Sequence, residues 1–183
     1  QRDVAGGQMS RDMTLFVDDD GSAYHVTSAE ENRTCHISRL TDDYLRPAGT
    51  YVRVFPERSM EAHAICKRKG RYHYIASGCT GWAPNQARSA VADHIFGPWQ
   101  ELGDPCTGVN PANGLGPEKT FGGQSTFLLP VHGTDDVIAM FDIWRPNDAI
   151  KGRYLWLPVE FRGPGFHIPF KTAWSLWHTP TDG

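Results

Sequence analysis

Two carboxylates, Asp12 and Glu61, each stand just before a short apolar run in two similar stretches of the sequence. The first stretch is SRDM at 10–13 and the second is MEAH at 60–63. In both, a polar turn that ends in Gly follows the apolar run, and a segment that carries Tyr comes next. Cleavage of a glycosidic bond needs an acid that protonates the leaving oxygen and a second group that tunes this acid or activates water. The pattern therefore indicates a pair of acids delivered to one end of neighbouring structural repeats.

The composition is that of a turn-rich β protein without a strong charge of either sign. The chain has 183 residues, enough for one domain with a core or for part of a larger one. Charged residues make up 21% and the formal net charge is -3, so we expect neither nucleic acid nor an anionic membrane as a partner. A neutral polar partner fits better. The six Trp could stack on sugars or fill the core.

The cysteines and the first residues give no sign of a zinc site or a targeting segment. Cys35, Cys66, Cys79 and Cys106 lie apart without CxxC spacing, so we expect buried thiols, with one disulfide left open. No apolar run approaches the roughly 20 residues of a membrane span. The chain also does not open with the basic and apolar regions of a signal peptide. Either the chain is cytoplasmic, or a leader has been removed or was not included.

Alternating apolar and polar residues bounded by Gly, Pro, Asn and Asp predict an all-β fold, since no segment of 11 or more residues keeps a helical stripe. We predict twelve strands in three units, at 14–17, 23–28, 34–40 and 51–55, then 64–67, 72–77, 87–93 and 97–102, then 124–131, 137–144, 154–161 and 166–170. Hairpin turns are predicted at 18–21 and at Lys69-Gly70. Three four-stranded units of about 45 to 50 residues are typical of β-propeller blades.

The three units predict a single β-propeller domain over 1–183, or the C-terminal portion of one, with blades at about 9–55, 61–104 and 120–170. A closed propeller usually has at least four blades. Three blades leave two open edges that must be covered or paired. We therefore expect either further blades in a longer chain or a homo-oligomer that closes the ring.

Three segments, SRDM at 10–13, SGCTGWAPN at 77–85 and FGGQSTF at 121–127, resemble glycoside hydrolase family 43, five-bladed β-propeller enzymes that act on plant polysaccharides. The chain is most similar to the branch of exo-β-1,3-galactanases and related galactosidases. The similarity runs from Met9 to about Trp177 and corresponds to the third, fourth and fifth blades of that fold. It implies an extracellular or periplasmic inverting hydrolase that removes terminal galactose-type or arabinofuranose residues from polysaccharides such as β-1,3-galactan.

By this resemblance Glu61 is the general acid, and Asp12, which lies 49 positions earlier (61 − 12), positions it and modulates its pKa. In the galactanase-like branch a Gln at the position of Gln124 is thought to orient the attacking water. An amide cannot remove a proton at ordinary pH, so its role would be to position water or to act through its imidic tautomer. The usual family base, an Asp of the first blade, is not in this chain. Structural roles also stay open, as a strand-entry carboxylate for Asp12 and a hydrogen-bonding core amide for Gln124.

Position along the strands adds candidates for sugar binding. Trp82 and Thr80 follow the strand at 72–77, and Trp144 and Arg145 end a strand of the third unit, so all four could reach the mouth of the funnel. Asn32, on the corresponding loop of the first unit, is a weaker candidate because Asn in a loop usually serves the turn.

The sequence predicts no metal-ligand set. DDDG at 18–21 lacks the spacing of an EF-hand, and MEAH at 60–63 reverses the deaminase order and has no paired cysteines after it. The resemblance requires no cofactor and leaves room for a structural Ca²⁺ in the central channel. Two functions without catalysis stay open: a carbohydrate-binding propeller remnant, and a structural interaction propeller that binds no glycan.

Overall fold

The computed structural model describes residues 4–176 and consists almost entirely of β-strands. Trp177, where the predicted family similarity ends, lies outside these residues. Helical structure in the described part of the chain is limited to three short 3-10 segments, Ala5–Gly7, Pro117–Gly122 and Ala149–Lys151. The all-β prediction is therefore confirmed.

The first two sheets each contain four antiparallel strands that follow one another along the chain. The first sheet comprises β1 (Met13–Val17), β2 (Ala23–Ala29), β3 (Thr34–Leu40) and β4 (Pro47–Val54). The second comprises β5 (Met60–Arg68), β6 (Arg71–Gly78), β7 (Arg88–Ala92) and β8 (Gln100–Gly103). Both predicted hairpins are present. Lys69 and Gly70, at φ 49° and 77°, form a two-residue turn with two positive φ angles, which matches the twist of the flanking strands.

The third unit differs from the predicted four strands in one sheet. Three strands form its sheet, namely β10 (Gln124–Pro130), β11 (Val137–Ile143) and β12 (Arg153–Pro158). A separate sheet contains β9 (Cys106–Thr107), β13 (Glu160–Arg162) and β14 (Gly165–Pro169), with β14 parallel to β9. The prediction of one strand over 154–161 was wrong because Pro158 ends β12. Proline has no N–H with which to continue a ladder.

Several strand limits also differ from the prediction. β4 begins at Pro47 rather than at 51 and ends before Phe55, whose φ of 51° is not that of a strand. β5 begins at Met60 rather than at 64, so Glu61 lies inside the strand and not in front of it. β8 begins at Gln100 rather than at 97.

Two apolar layers hold the sheets face to face. The layer between the first and second sheets includes Val26, Ile37, Ile65 and Tyr74. The layer between the second and third sheets includes Ala64, Cys66, Leu128 and Phe141. Full burial of one large apolar side chain contributes about 1.5–3 kcal/mol. The two layers therefore fix the stacking that brings β1, β5 and β10 next to one another.

Antiparallel sheets stacked face to face, with their first strands adjacent, form part of a β-propeller, and the described sheets do not close a ring. The outward face of the first sheet carries an apolar stripe. Met13, Leu15 and Val17 of β1 are 47%, 55% and 54% exposed, whereas Phe16 between them is buried. This alternation is that of a strand with one covered and one uncovered face.

Candidate active site

Glu61 is the second residue of β5, half-buried and directed towards the third sheet. Its Oε1 accepts a hydrogen bond from Nε2 of Gln124, the first residue of β10, at 3.1 Å. Burial raises the pKa of the Glu61 carboxyl and the charge of Asp12 raises it further, while hydrogen bonds from Gln124 and Cys79 oppose the rise. A carboxyl with a raised pKa keeps its proton to higher pH, as a general acid must.

Asp12 precedes β1 and reaches the second sheet through its side chain. Its Oδ2 accepts a hydrogen bond from the backbone N–H of Ala62 at 3.1 Å. Because Ala62 directly follows Glu61, the two predicted acids meet at the same end of the stacked sheets. Ala62 has φ 58° and lies in a bulge of β5.

Gln124 has hydrogen bonds at both ends of its amide. Nε2 donates to Glu61 and also to Oγ of Ser77, the latter at 2.8 Å. Oε1 accepts from the indole Nε1 of Trp144 at 3.3 Å. An indole N–H can only donate, so Trp144 determines which end of the amide carries the oxygen. One lone pair of that oxygen is left for a further donor.

The loop before Gln124 holds its backbone very close to its neighbours, which explains the paired glycines of the FGGQ segment. A Cβ on Gly122, at φ 90°, would lie 2.6 Å from Nδ2 of Asn113, and one on Gly123 would lie 3.1 Å from a carbonyl oxygen of β11. Asn113 donates to the carbonyl of the buried Phe121 at 2.9 Å. Sequence analysis missed Asn113, although the glycine pair itself signals such a close approach.

A cavity of about 240 Å³ opens beside Gln124. Trp82, Trp144 and Arg145 line it, and the two indole rings meet edge to face with centroids 5.3 Å apart. Trp82 is 64% exposed and Trp144 is 46% exposed, so both could contact a sugar ring. A second cavity of about 480 Å³ adjoins the first and shares these three residues. Neither acid lines the first cavity, so Gln124 connects it to the carboxyl of the second sheet.

Thr80 and Asn32 lie outside this cavity. Oγ of Thr80 donates to the carbonyl of Ala83 at 2.6 Å and accepts from Nδ2 of Asn85 at 2.7 Å, so it closes the loop after β6. Asn32 lies in the turn after β2 with φ 66°, and its side chain contacts the thiol of Cys79. Its Oδ1 is buried without a hydrogen-bond partner.

Cys79 is a site neighbour that the sequence analysis missed. All four cysteines are free, and Cys79 is exposed, so the prediction of buried thiols is wrong for this one. Partial burial and the charge of Glu61 raise the pKa of the Cys79 thiol to about 11. The pairing of Met60 with Gly78 explains its place, because the chain that continues past Gly78 must pass beside Glu61.

The described residues contain no cluster of acidic, His or Cys side chains suited to a metal ion. Within 4–176, no group of three or more His, Cys, Asp or Glu side chains could hold a metal. The buried ring of His63 is engaged at both nitrogens, by Oγ of Ser28 at 2.8 Å and the hydroxyl of Tyr74 at 2.6 Å. No helix in the described part of the chain has the length and apolar character needed to cross a membrane.

The chain is similar to several solved structures. No family model and no curated protein matches the chain, whereas solved structures do. A GH43 β-1,3-galactosidase solved with galactodeoxynojirimycin is 50% identical over 92% of this chain, with a TM-score of 0.85. A second GH43 β-1,3-galactosidase is 35% identical over 94% of the chain, also at 0.85. The exo-β-1,3-galactanase from Clostridium thermocellum is 33% identical over 90%, at 0.77.

The chain spans only part of each of these proteins, 47% of the first and 35% of the other two. The matches nevertheless extend over 90–94% of this chain. The chain therefore belongs to glycoside hydrolase family 43, in which it is similar to β-1,3-galactosidases and exo-β-1,3-galactanases, and it corresponds to part of the propeller of that family.

Proposed function

We propose that this chain is part of an inverting glycoside hydrolase that removes terminal galactose-type residues from plant polysaccharides such as β-1,3-galactan, outside the cell or in the periplasm. The contact between Gln124 and Glu61 carries the proposal, because it joins a carboxyl of raised pKa to an indole-lined cavity. The names of the three compared proteins, galactosidases and a galactanase, favour galactose over arabinofuranose.

In the proposed reaction Glu61 gives its proton to the glycosidic oxygen as the bond from that oxygen to the anomeric carbon breaks. The leaving sugar departs as a neutral alcohol, and positive charge develops on the ring that remains. The raised pKa of Glu61 supports this role, since burial and the charge of Asp12 both favour the protonated form.

Asp12 has two effects in this proposal. Its charge acts on the pKa of Glu61, and its Oδ2 holds the backbone N–H of Ala62, the residue after the acid. It thus both tunes and positions the general acid.

Gln124 places the attacking water. Inversion requires water to attack the anomeric carbon from the face opposite the leaving group. The free lone pair of Gln124 Oε1 can accept a hydrogen from this water, and Trp144 keeps the oxygen in place. By the family resemblance, the group that takes the proton from the water belongs to a blade outside this chain.

The sugar would stack on the exposed indoles of Trp82 and Trp144, and Arg145 would donate to its hydroxyls. In this proposal no cofactor takes part. Activity measured with and without EDTA tests whether the whole protein needs a structural Ca²⁺. We further propose that another blade, from a longer chain or from a second copy, covers Met13, Leu15 and Val17, because these three apolar side chains on one face of β1 are each about half exposed.

A second candidate function is carbohydrate binding without turnover. It is favoured by the cavity itself, which the exposed indoles of Trp82 and Trp144 line but neither Asp12 nor Glu61 does. In that case the indoles would still bind sugar, but no residue would activate water.

The test is monosaccharide release from β-1,3-galactan, aryl β-galactoside and aryl arabinofuranoside, with the mass of the protein in solution measured in parallel. Once another blade, from a longer chain or from a second copy, completes the site, we expect galactose release. We expect Glu61→Gln to lose it while Glu101→Gln, which removes an exposed carboxylate of β8 that pairs with Arg58, keeps it. Binding of galactan without release by any sample would favour the binding module. If the protein neither bound galactan nor released sugar from it, both functions would be contradicted.

A further inference from the structure

The direction of Glu61 depends on an irregularity in β5. Ala64 and Cys66 pack in the layer shared with the third sheet, and Ile65 packs in the layer shared with the first. Met60 also packs in the layer shared with the first sheet. In an unbroken strand residues 60, 64 and 66 would share one face. A regular β5 would therefore direct Met60 at the third sheet and Glu61 at the first, the opposite of what is observed.

The bulge at Ala62 reverses the two faces. The register of β5 against β6 shifts between Glu61 and Ala64, so that Ala62 and His63 stand opposite the single Ala76. One extra residue moves every side chain before it to the other face of the sheet. Glu61 consequently points at β10, where Nε2 of Gln124 donates a hydrogen bond to its carboxyl.

The bulge is held from both neighbouring sheets. Ala62 has φ 58°, a left-handed conformation that a residue with a Cβ adopts only when its surroundings impose it. Its N–H donates to Oδ2 of Asp12 at 3.1 Å, and its carbonyl oxygen accepts from Oγ of Ser125 at 2.6 Å. The first sheet thus binds the nitrogen of Ala62 and the third sheet binds its oxygen.

We propose that Ser125 is a positioning residue, which fixes the bulge at Ala62 and through it the direction of the Glu61 carboxyl. Ser125 is 3% exposed and follows Gln124 directly. Two successive residues of β10 therefore hold the acid: Gln124 bonds to the Glu61 side chain, and Ser125 bonds to the backbone of the next residue, Ala62. A bulge leaves backbone groups without ladder partners. The hydroxyl of Ser125 supplies the partner that the Ala62 carbonyl would otherwise lack.

The role in catalysis rests on the proposed function, but the role in backbone geometry does not. The experiment therefore has two readouts on the full chain. One is the amide chemical shift and hydrogen-exchange rate of Ala62, together with the ¹³C titration of the Glu61 carboxyl. The other is kcat and KM for an aryl β-galactoside across pH.

The variants are Ser125→Ala, Ser125→Thr and the control Ser89→Ala. Ser89 is 4% exposed and donates to the carbonyl of Gly103 at 2.8 Å, so its removal costs a buried bond of the same kind away from the acids. We expect Ser125→Ala to shift the Ala62 amide, speed its exchange and move the Glu61 titration, whereas Ser125→Thr retains the hydroxyl and the native values. In the activity assay we expect Ser125→Ala to lower kcat by about 10- to 100-fold with little change in KM.

The outcomes separate the two proposals. If the unmodified protein, with its site completed by another blade, releases no sugar but Ser125→Ala still alters Ala62 and Glu61, the proposed function fails and the positioning role stands. If Ser125→Ala changes Ala62 and Glu61 no more than Ser89→Ala does, Ser125 does not hold the bulge. If Ser125→Ala and Ser89→Ala lower kcat equally, the effect of removing the Ser125 hydroxyl is one of general stability and the proposal is overturned.

Discussion

Nε2 of Gln124 lies 3.1 Å from Oε1 of Glu61, so an amide of the third sheet bonds directly to the carboxyl of the second. Such a bond is stronger to an ionised carboxylate than to a neutral acid. It therefore lowers the pKa of Glu61, against burial and the charge of Asp12, which raise it. The protonation of the acid results from this balance, and each contribution can be removed separately.

Gln124→Met removes the amide at nearly constant volume. We expect the pKa of Glu61 to rise further, because the ionised form loses a donor, so the decline of activity at alkaline pH moves to higher pH. Loss of the water-positioning oxygen should also lower kcat by about 100-fold or more. Carboxyl ¹³C titration and a pH–rate profile measure the two effects. Gln100→Met, at an exposed position of β8, is the control, and a lowered Glu61 pKa in Gln124→Met would contradict the assigned bond.

Asp12→Asn removes a charge and keeps an oxygen that can accept from Ala62. The pKa of Glu61 should fall, since the charge of Asp12 raises it. Glu61 would then lose its proton at lower pH, and the alkaline limb of kcat/KM should move towards acid. The same titration and pH–rate profile measure this. An unchanged limb would mean that Asp12 acts through the backbone of Ala62 alone.

Trp144→Phe keeps an aromatic ring in the cavity and removes the N–H bonded to Gln124 Oε1. We expect kcat to fall by about 10-fold, because the amide is no longer held in one orientation, while KM changes little. Trp144→Leu should raise KM as well, because the stacking surface is lost. Steady-state kinetics on an aryl β-galactoside separate the two effects. Equal KM increases in both variants would assign Trp144 to sugar binding only.

The buried His63 should make the fold sensitive to acid. Burial, with a further effect of His25, lowers the pKa of His63 to about 3 from the ordinary 6.5. The unfolded chain therefore takes up this proton first, so the stability that neutral His63 contributes is present above pH 6.5 and is lost as pH falls towards 3. The slope is up to about 1.4 kcal/mol per pH unit.

Urea unfolding at a series of pH values between 7.5 and 4 measures this loss. His63→Gln should flatten the dependence although it lowers stability overall, whereas His167→Gln, at an exposed position, should leave the slope unchanged. A slope that His63→Gln does not alter would place the acid sensitivity elsewhere.

Local signals in the sequence were sufficient for the first two sheets. Their strands pair with sequence neighbours, and turns such as Lys69-Gly70 carry the residues that tight hairpins need. The third unit was harder, because the pairing of β14 depends on β9, a segment far away in the sequence. The two acids could be placed at strand starts, but the direction of Glu61 could not. It depends on a bulge at Ala62, where no glycine marks the positive φ.

The parallel pairing of β9 with β14 has a consequence for the order of folding. Every other strand pair in the described residues joins neighbours along the chain, whereas Cys106 and Ile168 are 62 positions apart (168 − 106). Closing so long a segment costs conformational entropy before any contact repays it, so such pairings form late. The ladder of β14 on β9 should be the last to gain protection in pulsed hydrogen exchange during refolding. The three sheets built from hairpins would then form before β9 and β14 pair with each other.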